Sequence, residues 1–242
     1  IMALLLYLIG APRSGKTAVF EALTHTPQGP HFTTKGGHRL GTVKVPEERL
    51  DKLRDMYQPK KFTPAEITFV DVGLPAGSEE GHSFSQLNVF LSDADAFALV
   101  IQAFGEFDHR GRPLNPAAQM ESVLLELAVA DLEKVERRLE KIEQEEKRGC
   151  KNQGGEKGIL ERCKAQLEAG KALRHLALSA DEEKKISSFR FLSQKRLLVI
   201  ANTSEDRLQG QGLGSLQGAA HAQECEMLVF CAPLEAEIAA LD

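Results

Sequence analysis

Short apolar runs recur along the chain between charged or turn-forming residues: Leu4 to Ile9, Ile67 to Val70, Phe97 to Ala103, Arg196 to Asn202 and Glu226 to Ala232. They are rich in Leu, Val and Ile and lack strict alternation, the pattern of strands covered on both faces. Helical patterns precede or follow them, so the alternation predicts an open α/β fold with a mostly parallel sheet. From about 117 to 191 the character changes to Leu, Ala, Glu, Lys and Arg. Here Leu125, Ala128, Leu132, Val135, Leu139 and Ile142 recur at steps of three and four and predict one helical seam between mixed charges. After the Gly-rich break "GCKNQGGEKG", Leu160, Cys163, Leu167 and Gly170 repeat those steps. The simplest expectation is an antiparallel α-helical coiled-coil hairpin with its tip near Asn152, its charged flank solvated and braced by i,i+4 pairs.

Composition narrows the class. With 242 residues, 42% hydrophobic and 27% charged, the chain has ordinary globular usage, which excludes collagen-like, disordered and disulfide-scaffold proteins. A net charge of -5 means that any nucleic-acid contact must be a local patch. Lys60 and Lys61 with Arg49, Lys52 and Arg54 supply a modest one near Tyr57 and Phe62, although a solvated helix face is the plainer reading. Cys150, Cys163, Cys225 and Cys231 form no CxxC pair, which argues against a zinc site or a secreted framework and for reducing cytosol. The opening "ALLLYLIG" lacks the basic flank and cleavage site of a signal peptide, and no apolar run approaches the roughly 18 residues of a membrane span. The expected location is cytoplasmic.

The strongest local signal is Gly10-Ala11-Pro12-Arg13-Ser14-Gly15-Lys16-Thr17, which matches GxxxxGK[ST] between a buried strand and the helix "TAVFEALT". Glycines let backbone N–H groups curl around phosphates, Lys16 supplies a point charge, and the Thr17 hydroxyl ligates Mg2+. These residues, with Ala18 opening the helix, form the expected phosphate-binding set. The next buried strand ends "ITFVDVG", placing Asp71 where it can hold Mg2+ through water and Gly73 where its amide can sense a γ-phosphate. Asn202 and Glu205 end the fourth run in an NxxE arrangement suited to choosing a base, and the small Ala232 after the fifth lets a backbone amide approach the base edge.

Together these stretches resemble the YchF or Obg-like ATPase family of translation-factor-class P-loop proteins. The resemblance covers nearly the whole chain and is most specific in "VPEERLDKLRDMYQPKKFTPAEITFVDV" and "RLLVIANTSE". It implies a nucleotide-binding G domain over residues 1–116 and 192–242, interrupted by the helical hairpin over 117–191. It also implies ATP bound at least as well as GTP, and association with ribosomes or their rRNA. Leu74 looks like the family's hydrophobic substitute for the glutamine that orients attacking water, so intrinsic hydrolysis should be slow.

The sequence departs from the family pattern at several points. Arg13 stands where Asn is usual, pointing either to solvent or at the phosphates. Asp71-Val72-Gly73 is one residue shorter than DxxG. "PHFTTKGGHRLGTVKVP" keeps Thr33 and Thr34 but lacks the Thr-Ile-Asp/Glu-Pro-Asn run of the first switch. The TGS domain that follows in family members has no counterpart in these 242 residues. His82 can position water or be a solvated loop residue; His31 and His38 flank the first switch without metal-ligand spacing.

Three functions remain open at this level. One is a Mg2+-dependent nucleoside triphosphatase, with Lys16 and Gly73 at the γ-phosphate, whose hydrolysis reorients the hairpin. Another is a degenerate module that binds nucleotide with little hydrolysis and presents the hairpin to a partner. A small-molecule kinase is the weakest, because it leaves NxxE and "VPEERLDKL" without a role.

Overall fold

The computed structural model describes residues 4–24, 33–35, 38–72, 89–148, 155–239 and 241. They fall into two compact units: Ile1–Pro75 with Asp95–Pro116 and Leu197–Asp242, and Ala76–Ala94 with Ala117–Arg196. The strands of the first unit are β1 (Leu4–Ile9), β2 (Thr33–Lys35), β3 (His38–Lys44), β4 (Glu66–Asp71), β5 (Ala96–Ala103), β6 (Arg196–Thr203) and β7 (Glu226–Phe230). They form one sheet in the order β2-β3-β4-β1-β5-β6-β7.

β1 lies between β4 and β5 and runs parallel to both, with Leu8 opposite Asp71 on one side and Ala98 on the other. β6 and β7 are also parallel, whereas β3 runs antiparallel to β4 and to β2. Apolar side chains on β1, β4, β5 and β6 pack with the helix α1 (Lys16–Thr24): Leu8, Val19, Phe20, Phe69, Ala98, Val100 and Ile200 form one buried cluster. The central strands are the apolar runs of the sequence because water reaches neither of their faces.

β3 and its short neighbour β2 escape that pattern. "HRLGTVK" is polar and mostly half-exposed, and its sheet position comes from antiparallel pairing with β4. A glycine is required at Gly41, where a Cβ would press into the Thr24 methyl and the Phe20 ring of α1. The helix α2 (Glu48–Tyr57) follows and buries no residue of its own. Its Arg49 pairs with Glu47 and its Arg54 with Asp51 and Asp55, while Arg54 also lies 5.0 Å from the Phe62 ring centroid. Two of the five cations of the expected basic patch, Arg49 and Arg54, are therefore paired locally. At the other end of the sheet, β7 stops at Phe230 and Ala232 already belongs to a helix, so that strand is shorter than the apolar run implies.

The second unit is built on α3 (Pro116–Lys147), α4 (Glu156–Glu168) and α5 (Ala180–Ile186). Proline suits the first helical position because its missing N–H has no intrahelical acceptor there. Ala128, Val135 and Ile142 of α3 pack with Ile159, Leu160, Cys163 and Leu167 of α4, and Leu132 and Leu139 are partly buried beside them. From Lys157–Glu146 to Lys164–Glu136 the ion pairs step down α3 as they step up α4, so the two helices run antiparallel, and Arg138–Glu156 adds a further cross-helix pair. The expected tip near Asn152 lies outside the described residues.

Two seam residues behave differently from expectation. Leu125 is 60% exposed, because the buried stripe at that end of α3 passes through Met120, Val123, Leu127 and Ala130. Gly170 ends α4 instead of extending its seam: it adopts φ 71°, and Gly170 N–H donates to Leu167 O while Lys171 N–H donates to Gln166 O. This is a Schellman closure, in which a left-handed glycine satisfies the last carbonyls of the helix.

Asp131 is a charged residue buried in this core. Its carboxylate accepts from the N–H groups of Leu192 (2.8 Å) and Ser193 (2.7 Å), fixing the segment that leads into β6. Burial pushes its pKa up, against the hydrogen bonds from Ser193 and Leu192. Asp131→Ala strands two buried donors and is expected to cost about 3 kcal/mol. Urea denaturation of the two proteins measures this as a lower midpoint at unchanged m-value.

Candidate nucleotide site

The sheet places its chemically active residues at the carboxyl ends of its strands. β1 lies between β4 and β5, and the region beyond the carboxyl ends of such strands is where open α/β sheets hold ligands. The chain leaves β1 at Ile9 and turns through Gly10 to Gly15 before α1 begins at Lys16. Gly10 has φ 149° and Gly15 has φ 89°, both disfavoured for residues with a side chain. A Cβ on Gly10 would overlap the Val100 carbonyl, and one on Gly15 would overlap the Asn202 amide. A backbone carbonyl of β5 and a side-chain amide of β6 thus close on the loop at the positions where glycine alone fits.

Within the loop, Lys16 Nζ donates to the carbonyls of Gly10 (3.1 Å) and Ala11 (2.8 Å). Burial pushes the Lys16 pKa down, against the nearby charge of Asp71. An anion in the loop would give this desolvated ammonium a compensating charge. Ser14 is fully buried, and its hydroxyl has no hydrogen-bond partner among the described residues. Ala11 and Pro12 are half-buried, while Thr17 and Ala18 lie exposed at the open amino end of α1. Arg13 is exposed and adopts φ 60°, a left-handed conformation that costs an arginine about 1 kcal/mol and suits Asn better. Its position is on the solvent side of the loop.

Asp71 meets Thr17 across the end of β1. The Thr17 hydroxyl donates to Asp71 Oδ2 at 2.9 Å, so two hard oxygen donors stand together beside Lys16. Such donors fit a magnesium ion that takes its remaining ligands from phosphate and water. Gly73, Leu74, His31 and His82 lie outside the described residues, and Thr33 and Thr34 belong to β2. His38 is half-buried; burial pushes its pKa down while Asp71 pushes it up.

Asn202 is buried at the end of β6 and ties the site together. Its Nδ2 donates to Ser14 O (3.1 Å), and its Oδ1 accepts from the Ala232 N–H (3.3 Å). The amide expected at the base edge is thus engaged with Asn202. Glu205 is exposed and opens a 3-10 turn three residues beyond Asn202.

Sequence reasoning overlooked Arg39 and Asp108. Arg39 of β3 pairs with Glu21 of α1 at 2.9 Å and approaches Asp71 Oδ2 at 3.9 Å. The cue was limited to a cation inside the altered first switch. Asp108 lies in the loop that leaves β5, beyond Gln102, whose amide donates to Phe104 O and Phe107 O. Its carboxylate accepts from the N–H groups of Arg110 (2.8 Å) and Arg112 (2.9 Å) and from Arg112 Nε (2.8 Å). An aspartate three residues before a glycine was its faint signal.

A glycine-rich turn between a buried strand and a helix, a Lys-Thr pair at the helix start and an aspartate on the neighbouring strand define a P-loop nucleotide-binding domain. The chain is 31% identical to the ribosome-binding ATPase YchF of Bacillus subtilis strain 168, over 100% of its own length and 69% of that protein. It is 32% identical to the protein of the same name from Escherichia coli O157:H7, over 97% of this chain and 67% of that one. The chain belongs to the YchF family of P-loop nucleoside triphosphatases. Its fold matches the structure of the Schizosaccharomyces pombe YchF GTPase with a TM-score of 0.79 at 24% identity, across 98% of this chain and 68% of the other. No family profile matches the chain.

Backbone hydrogen bonds, led by that from Arg112, hold the Asp108 pKa down at about 2, below its ordinary 3.8. A lowered folded-state pKa gives stabilisation that is complete above the unfolded value and is lost as pH falls through the folded one. The loop is therefore expected to keep its closure down to about pH 2. A carboxyl NMR titration should place the Asp108 midpoint there, and a midpoint near 3.8 would mean that the turn is open in solution.

Proposed function

We propose that this chain binds a nucleoside triphosphate with Mg2+ in the Gly10 to Thr17 loop and hydrolyses it slowly, as a regulatory switch that associates with ribosomes. The observation that carries the reading is the meeting of Lys16, Thr17 and Asp71 at one end of the sheet, with Thr17 and Asp71 2.9 Å apart. The named function of the curated relatives supports the ribosomal part. Cytoplasmic residence follows from that partner. Among the described residues, no helix is long and apolar enough to cross a membrane.

In this reading the loop amides and Lys16 take the β- and γ-phosphates, and Ser14 to Ala18 present the positive end of α1 to them. Thr17 and Asp71 would hold Mg2+ beside the phosphates. The ion supplies charge neutralisation at the phosphates. Gly73 reports the γ-phosphate by its amide, and Leu74 gives an attacking water no hydrogen-bond acceptor, which keeps turnover slow. Asn202 and Glu205 select the base, with ATP favoured and GTP accepted. Asn202 retains one N–H and one lone pair for this after its contacts with Ser14 and Ala232.

The short Asp71-Val72-Gly73 spacing favours a second reading, in which nucleotide is held with little hydrolysis and occupancy presents the helical pair to a partner. Phosphate release from ATP with Mg2+ separates the two, because turnover equal to that of Lys16→Ala leaves binding alone. Lys16→Ala is expected to weaken ATP binding by roughly 10- to 100-fold, the loss of a charge-assisted phosphate contact. Calorimetric titration with ATP and GTP checks this, and Glu205→Asp in the same experiment should shift preference toward GTP. An unchanged base preference would remove Glu205 from base recognition.

A further inference from the structure

The antiparallel register of β3 and β4 sets Arg39 directly opposite Asp71. The guanidinium is clamped on three sides. Its Nη2 lies 2.9 Å from Glu21 Oε1, its carbon lies 5.5 Å from the Phe20 ring centroid, and its Nη1 lies 3.9 Å from Asp71 Oδ2. Glu21 and Phe20 both belong to α1, the helix that begins with Lys16 and Thr17, so the anchor is rigid with respect to the phosphate loop.

Asp71 is 4% exposed at its side chain, and a carboxylate so desolvated needs a countercharge. The Thr17 hydroxyl gives it one hydrogen bond but no charge. The Lys16 ammonium is turned onto the Gly10 and Ala11 carbonyls. Arg39 is the cation in ion-pair distance of Asp71 among the described residues. It sits beside the carboxylate expected to receive Mg2+, in a first switch that lacks its usual residues.

We infer that Arg39 is a built-in counter-ion of Asp71, one that keeps the site neutralised without metal and lowers the Mg2+ dependence of nucleotide binding. The inference rests on the proposed Mg2+–nucleotide function and adds a specific device to it. A fixed guanidinium about 4 Å from the carboxylate repels an incoming divalent ion and, without that ion, offsets the charge that a triphosphate would meet at Asp71. Arg39 is a positioning residue here: it acts through Asp71.

The test uses the full chain, a non-hydrolysable ATP analogue, and calorimetry with excess Mg2+ and with EDTA. The readout is the ratio of the two dissociation constants for wild type, Arg39→Gln and Arg39→Lys. Gln keeps much of the shape without the charge, and Lys keeps the charge without the fork. The ratio is expected to rise about tenfold in Arg39→Gln and to stay within about threefold of wild type in Arg39→Lys. Mg2+ alone should also raise the melting temperature of Arg39→Gln more than that of wild type, a readout independent of nucleotide. Nucleotide binding with equal ratios in wild type and Arg39→Gln overturns the role of Arg39 and leaves the P-loop reading intact. No binding by wild type with Mg2+ overturns the P-loop reading itself.

Discussion

The side-chain amide of Asn202 joins two ends of the first unit that are 188 residues apart in sequence, Nδ2 reaching the Ser14 carbonyl on the phosphate loop. Through Oδ1 the same group holds the first amide of the helix Ala232–Ala239. Being buried, both bonds are expensive to break. The loop's shape depends on them: Gly15 must lack a side chain because the Asn202 amide occupies that space, and Ser14 is buried beneath it. A loop held in this way is already ordered before any ligand arrives, which lowers the entropy cost of binding.

The charges around that loop are arranged with the same economy. Lys16 is satisfied by carbonyls of its own loop, Thr17 by Asp71, and Arg39 by Glu21, leaving Asp71 between a hydroxyl and a guanidinium. The helical unit solves a different problem. Its antiparallel pair buries an apolar seam and brackets it with cross-helix ion pairs, and the buried carboxylate of Asp131 anchors the return toward β6. Exposed pairs of this kind contribute little stability each, so the register is held mainly by the seam.

What was legible in the sequence was local. β1 has the limits of its apolar run, and the P-loop signature announces both its turn and its helix. The seam through Ala128, Val135 and Ile142 also shows in three- and four-residue steps. What was hidden depended on pairing between distant segments. β3 reads as a polar stretch because antiparallel pairing, not apolar burial, makes it a strand, and Arg39 gained meaning only once that register set it opposite Asp71. Asp131 looked like one more charge on a charged helix. Leu125 and Gly170 matched the seam by spacing, but burial moves to another stripe near the start of α3 and a left-handed glycine stops α4. Asn202 was expected at a base; its role as a tie required β6 and the loop to be seen together.

The central claim is that the Gly10 to Thr17 turn is a preformed cradle for a magnesium-bound triphosphate. Hydrogen–deuterium exchange of the backbone amides from 11 to 18, with and without saturating ATP and Mg2+, tests it most directly. The account predicts that the amides of Ala11 and of residues 13 to 18 slow by at least about tenfold when nucleotide is present, since a bound triphosphate would cover the loop and accept from its N–H groups. Exchange through the turn that is identical in both conditions would contradict it.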